Sequence, residues 1–389
     1  MIRHTIFVIA LLLSTFLMGQ VPQDSTLANP QYQQSTAQRI LTNTKGNPLT
    51  LGGYGEVKYR QPIGANGELD VHRLVLMLGY RFNDKVQFFS EIEFEHAEKV
   101  EVEQAFVNYN VANNFNLRAG LMLVPMGIIN LYHEPTTFNG VDRPGVDKYI
   151  VPTTWREIGI GFSGKINSVS LSYEAYLFNG IKSIEADGTG LIGGSSGLRN
   201  GRQNGGKATM DKPNLSMKAD YYGLPGLKLG LAGYFGRTEA PDDIRNVPGA
   251  DVGVAMVGLD ARYVYNRFSA RGELIYTALN DTEAYNDLTG QDLGSALFGW
   301  YTEAAYNLMP QKNKQKLDAF VRYEQYDTNA KTAGTLVAND AYNRNDVTLG
   351  LSYHITPGVV FKGDYRIYDN AVENNDLKNQ VNFGVGVWF

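Results

Sequence analysis

The chain has 389 residues, a formal net charge of −5 and a pI near 5.6, so its charge gives it no affinity for nucleic acid. It has no cysteine, which excludes a disulfide framework, a thiolate zinc site and a lipid-modified cysteine anchor. A chain of this length ordinarily makes two or three soluble domains, but 42 glycines, 24 tyrosines and 18 phenylalanines in a sequence only 43% hydrophobic suit one large sheet of many strands and turns.

At the N-terminus, Arg3 and His4 precede an apolar run from Ile6 to Met18, and Gly19 offers a small residue for cleavage. Residues 1–19 therefore read as a secretory signal peptide. The run is shorter than the roughly 20 residues that span a bilayer, and no later segment approaches that length, so passage through a membrane requires strands closed into a barrel. Residues 20–49, rich in Gln, Ser, Thr and Asn, read as a flexible periplasmic lead too short to form the plug of an energised receptor.

From Leu51 onward apolar and polar residues alternate with a period of two. Leu74, Leu76, Leu78, Tyr80 and Phe82 share one face, opposite Arg73, Val75, Met77, Gly79 and Arg81; Val86, Phe88, Ile92 and Phe94 repeat the pattern opposite Gln87, Phe89, Glu91, Glu93 and Glu95. Further strands are expected near 101–111, 115–124, 157–163, 169–179, 214–222, 227–236, 253–264, 268–277, 297–309, 317–326, 346–354, 359–368 and 379–389, about sixteen in all over residues 50–389. Short turns such as Asn83–Asp84 and Asn266–Arg267 alternate with mostly longer links such as 180–213 and 237–251; His96 to Val100 is a short exception. Long loops on one rim and short turns on the other are the pattern of outer-membrane barrels, with the short side periplasmic.

Size decides which face points out. About sixteen strands spaced roughly 4.8 Å apart and tilted about 40° enclose a cylinder roughly 30 Å across, too wide for opposite walls to meet. The apolar faces must then meet lipid and the polar faces enclose water. Threading places outward aromatics such as Tyr80, Tyr109, Phe268 and Phe361 near the short-turn rim, and Phe94, Phe235, Tyr276 and Tyr323 near the other, as two interfacial girdles. The chain stops on an alternating strand whose last residue is Phe389, as the terminal strands of bacterial porins do.

Between two such strands, residues 125–154 show no period but contain four prolines with His133, Glu134, Asp142, Arg143, Asp147 and Lys148. A structureless stretch of this length is usually functional. It is the third long-rim connection. The segments EQAFVNYN, LRAGLMLVPMGIIN and GVDRPGVDKYIVPTTWREIGIGFSG, within Val102 to Ser163, resemble the phosphate-selective porin (O/P-type) family. That resemblance implies an all-β transmembrane antiparallel barrel in the bacterial outer membrane, an inward-folded third extracellular loop, a homotrimer, and anion selectivity from lumen arginines and lysines.

The residues themselves do not show that selectivity. Lumen-face cations such as Lys58, Arg73, Lys218, Arg262 and Lys362 are matched by carboxylates such as Glu56, Glu91, Asp260, Glu303 and Asp364, and a balanced inventory selects neither sign. The expected pore constriction sets Glu134, Arg143, Asp147 and Lys148 of the loop against Arg118, Arg322 and Arg366 of the wall. Passive diffusion of small hydrophilic solutes, anions such as phosphate among them, is the expected function; a blocked structural or adhesive barrel, or a carbohydrate-preferring channel using Phe89, Phe106, Trp155, Tyr176, Tyr234, Tyr301 and Phe320, are the alternatives. His72, His96, His133 and His354 are scattered and have no local nucleophile beside them, so neither catalysis, metal nor cofactor is expected.

Overall fold

The computed structural model describes residues 36–42, 47–373 and 377–389; the expected signal peptide, residues 1–19, lies outside them. Sixteen antiparallel strands close into one barrel. The first eight are β1 (Leu49–Pro62), β2 (Glu68–Arg81), β3 (Val86–Glu95), β4 (Lys99–Ala112), β5 (Phe115–Leu123), β6 (Arg156–Ile166), β7 (Leu171–Phe178) and β8 (Asn214–Leu224). The rest are β9 (Leu227–Arg237), β10 (Gly253–Tyr265), β11 (Phe268–Asn280), β12 (Ala296–Asn307), β13 (Lys316–Lys331), β14 (Asn343–Thr356), β15 (Val359–Asn370) and β16 (Gln380–Trp388). Each pairs with its neighbours in sequence, and β1 meets β16 with Tyr54 opposite Trp388, so the sheet has no free edge.

The alternation has the orientation expected from its period. On β2, Leu76 and Leu78 are 45% and 37% exposed while Val75 and Met77 are 0% and 1% exposed, so the apolar stripe faces outward. Tyr80, Phe82, Tyr109, Phe268, Tyr306, Phe361 and Phe389 are exposed toward the short-turn rim, and Phe94, Phe235, Tyr276 and Tyr323 toward the other. Among the described residues no helix is long and apolar enough to cross a membrane.

Six register shifts interrupt the alternation among the described residues, and two of them redirect charged side chains. A bulge between Glu91 and Ile92 of β3 leaves an extra residue on β4, so Glu103 and Gln104 both turn inward and are buried. A second, between Glu56 and Val57 of β1, turns His72 and Arg73 inward together on β2.

The polar lead expected over 20–49 needs correction where it is described. Residues Thr36–Thr42 form a helix, α1, whose Ala37, Ile40 and Leu41 are buried against the inner wall. Their spacing of three and four puts them on one helical face. Ile40 fits because Gly52 and Gly79 stand opposite it: a Cβ there would lie 2.8 and 2.6 Å from its side chain. Gln87 donates to the Leu41 carbonyl at 3.0 Å, and the Arg39 guanidinium lies 4.1 Å from the centre of the Trp388 ring.

The loop from 124 to 155 joins β5 to β6 and folds into the barrel, carrying a single-turn helix α2 (Val146–Tyr149). Met126, Ile128, Ile129, Val146, Ile150 and Val151 are all at most 1% exposed and pack with Trp155 at the loop's end and with wall residues Phe89, Tyr234 and Tyr301. The core of this protein is therefore inside the barrel, around the loop. The inward aromatics fill space there.

Candidate functional site

A buried loop must have its backbone groups satisfied, because each unpaired one costs about 1–3 kcal/mol. Here the wall supplies the partners. Glu273 of β11 accepts from the Ile128 N–H at 2.6 Å, Asp364 of β15 from Val141 at 2.6 Å, and Glu324 of β13 from Gly145. Wall cations take the carbonyls: Arg73 donates to His133 O at 2.8 Å, Lys218 to Gly127 O at 2.9 Å, and Arg322 to Asn139 O at 2.7 Å. From outside, Arg199 and Arg202 of the loop between β7 and β8 donate to the carbonyls of Thr153 and Thr154.

The charges used this way are themselves paired. Arg322 lies 3.1 Å from Glu303, Arg366 contacts Glu324 at 3.1 Å and Asp346 at 2.7 Å, and Arg60 contacts loop Asp142 at 2.8 Å. Burial raises the Asp142 carboxyl, but Lys58 and Arg60 outweigh it and hold the group well below the usual carboxylate range. At this level the balanced charge inventory is consumed in fixing the loop.

Toward the short-turn rim the lumen opens into two chambers that share Tyr132 and Lys228. The first is lined by Lys228, Arg262, Arg267, Arg271 and Lys316 against Glu303 and Asp318, five basic side chains to two acidic, with Phe138 and His354 completing the wall. The second has Arg118, Lys165, Lys218 and Lys228 against Glu174 and Asp220, four to two, with a run of asparagines from Asn108 to Asn116. Lys218 and Lys228 pair with Asp260 at 2.6 Å and Asp220 at 2.8 Å, but Arg118 donates to Asn108 and Tyr176, and Arg267 to the Asn307 carbonyl. Between the chambers Lys228 donates to the Tyr132 hydroxyl at 3.1 Å and Arg262 lies 4.2 Å over its ring. Burial alone would raise the Tyr132 phenol; these two cations bring it below its ordinary value.

The seven residues expected at the constriction separate into distinct places. Arg322 and Arg366 are buried in ion pairs of the wall, and Glu134 and Asp147 are buried within the loop, 2% and 1% exposed. Arg143 is half-buried and donates to the His133 carbonyl, Lys148 is exposed with its ammonium 5.1 Å from the Tyr149 ring, and Arg118 lines the second chamber. Tyr132 was not expected. It lies in the aperiodic loop, where nothing in the sequence marks a side chain as wall-facing.

The family described as phosphate-selective porin O and P matches residues 52–383. An uncharacterised protein of Aquifex aeolicus (strain VF5) is 31% identical over 350 residues, which are 85% of this chain and 77% of that one. An anion-selective porin from Comamonas acidovorans has a similar structure, with TM-score 0.58 and 14% identity over 88% of this chain and 99% of that one. The trimer form of OmpT of Vibrio cholerae gives 0.57 and 11% over the same shares.

Proposed function

We propose an anion-preferring channel, from this premise: the chain belongs to the phosphate-selective porin O and P family and is an outer-membrane porin through which small hydrophilic solutes diffuse passively. The observation that carries the proposal is the excess of basic over acidic side chains in both chambers, five to two and four to two. In a narrow, low-dielectric passage such an excess concentrates anions and lowers their barrier to entry. Phosphate-like oxyanions fit best, since guanidinium and ammonium donors and the asparagine amides offer hydrogen bonds to several oxygens at once.

In this reading the polar gate is Tyr132 with Lys228, Arg262 and Arg118, and Arg143 and Lys148 face solutes arriving from the long-loop side. Of the expected constriction, Arg322 and Arg366 hold the loop that forms the gate, through Asn139, Asp142 and Glu324, while Glu134 and Asp147 lie buried within it. A homotrimer is part of the proposal, supported by the family and by the neighbour described in its trimer form.

The reversal potential of the protein in a planar bilayer under a potassium chloride gradient tests this. A potential of the anion-selective sign, with current reduced by added phosphate, is expected. The cation-selective sign overturns the anion preference. A bilayer with no conductance steps at all favours a plugged structural barrel instead.

A further inference from the structure

Glu91 of β3, Glu103 of β4 and His133 of the inserted loop bring their ligand atoms together within 4.8 Å, and all three are at most 2% exposed. The extra residue on β4 opposite Glu91 and Ile92 makes this meeting possible by turning Glu103 inward. The His133 Nδ1–H donates to the Asn130 carbonyl at 3.2 Å, which leaves Nε2 as the position of the ring that faces the glutamates. That Nε2 lies 3.3 Å from Glu103 and 3.6 Å from Glu91, beyond good N–H···O distance; the Glu91 oxygen facing it is unpartnered, and the Glu103 oxygen facing it also accepts from Tyr54.

Ligands bonded at about 2.0–2.1 Å to a tetrahedral ion are separated from one another by roughly 3.3 Å. The two His133 contacts are close to that separation. The remaining polar atoms are held as a metal site requires: Gln104 donates to Glu91 at 2.6 Å and the Tyr54 hydroxyl to Glu103 at 3.2 Å, fixing both carboxylates, while the Asn130 carbonyl fixes the imidazole. The neighbouring cation, Arg73, is engaged by Glu56 and the His133 carbonyl. Burial alone would lower the His133 imidazole, but Glu103 and Glu91 raise it to about 10, so a divalent ion binds by displacing that proton and neutralises the two carboxylates.

We propose that Glu91, Glu103 and His133 bind a first-row divalent transition-metal ion of the zinc type, which clips the inserted loop to strands β3 and β4. A set of one nitrogen and two oxygens favours zinc over the all-oxygen preference of calcium and magnesium. His133 also borders a small cavity with Thr36 and Ala37 of α1, and water would be the fourth ligand.

A second group, Asp70, His72 and His96, lies at the long-loop rim with hydrogen-bond distances of 2.9–3.1 Å, and would confuse a zinc count. The test therefore uses the full mature chain in detergent with His72→Gln and His96→Gln, free of any histidine tag. After chelator treatment and dialysis against micromolar zinc, elemental analysis should find about one zinc per chain, and cobalt should give the visible bands of a four-coordinate site. Adding His133→Gln should lower retained zinc at least tenfold and remove those bands. Less than a tenth of an equivalent in the rim-cleared chain overturns the proposal, as does equal retention with His133→Gln, or calcium held as tightly as zinc. Where His133→Gln fails to fold, the cobalt spectrum of the rim-cleared chain and Glu103→Gln decide by the same criteria.

Discussion

The level of the inserted loop and the chambers toward the short-turn rim use the same side chains in opposite ways. At the loop, Arg322, Arg366 and their carboxylates are buried in pairs, half-buried Arg60 pairs with half-buried Asp142, and Arg322 and Glu324 also satisfy loop backbone groups. In the chambers, Arg118, Arg262 and Arg267 border open space, and basic groups outnumber acidic ones. A lumen whose total charge balances can thus still present a charged path, because pairing at one level removes from solution the acids that would neutralise another.

The sharpest way to break this contrast is to unpair the loop level. Arg322 is fully buried and holds Glu303, Asn139 and Asp142 together, so Arg322→Met leaves loop carbonyls without a donor and weakens the neutralisation of Glu303. Removing one partner of a buried ion pair costs about 3–5 kcal/mol. The variant barrel should melt well below the wild type in detergent, and its single-channel conductance should rise several-fold as the loop swings from the lumen. An unchanged melting point and conductance would mean that the loop is held by its apolar core alone.

The second break is at the chambers and is read in selectivity. Lys228→Glu with Arg262→Glu reverses two charges around Tyr132 without touching the loop's backbone anchors. The expected result is a reversal potential that moves to the cation-selective sign, with a lowered melting point because Lys228→Glu sets a carboxylate beside buried Asp220, which the ammonium meets at 2.8 Å. If selectivity stays put while conductance changes, the charge that selects is elsewhere, and Arg143 and Lys148 on the long-loop side become the residues to reverse.

Much of this molecule can be read in its sequence, and what could not be read has a physical reason. Period-two alternation on Leu74 to Phe82 specifies strand, register and outward face together, since a slip of one residue would turn every leucine inward. The loop at 125–154 was visible as an absence of period. Its partners were not visible, because Glu273, Asp364 and Glu324 are distant in the chain and become neighbours only when the barrel closes. Bulges hid residues for a different reason: Glu103 falls on the lipid side of a regular β4, and only the extra residue opposite Glu91 turns it in. Helix α1 was concealed by a polar surround, although Ala37, Ile40 and Leu41 do carry helical spacing.

The finest test of the comparison is a single proton at the loop level. Asp147 is buried with neither carboxylate oxygen hydrogen-bonded, and burial pushes its carboxyl up to about 7 even though Arg271 opposes the shift. In the unfolded chain the same group ionises near 3.9. Between those two values the folded protein keeps a proton that the unfolded chain has released, so stability falls as pH rises from about 4 to about 7 and levels off above. One proton contributes at most about 1.4 kcal/mol per pH unit, on the order of 2 °C for a barrel of this size. Asp147→Asn keeps the shape and cannot ionise, so its melting point should lose that part of the slope between pH 5 and 7 and exceed the wild type at pH 8. Parallel curves for the two proteins would mean that Asp147 is ionised beside Arg271, and that the loop level tolerates a charge the chambers would have to offset.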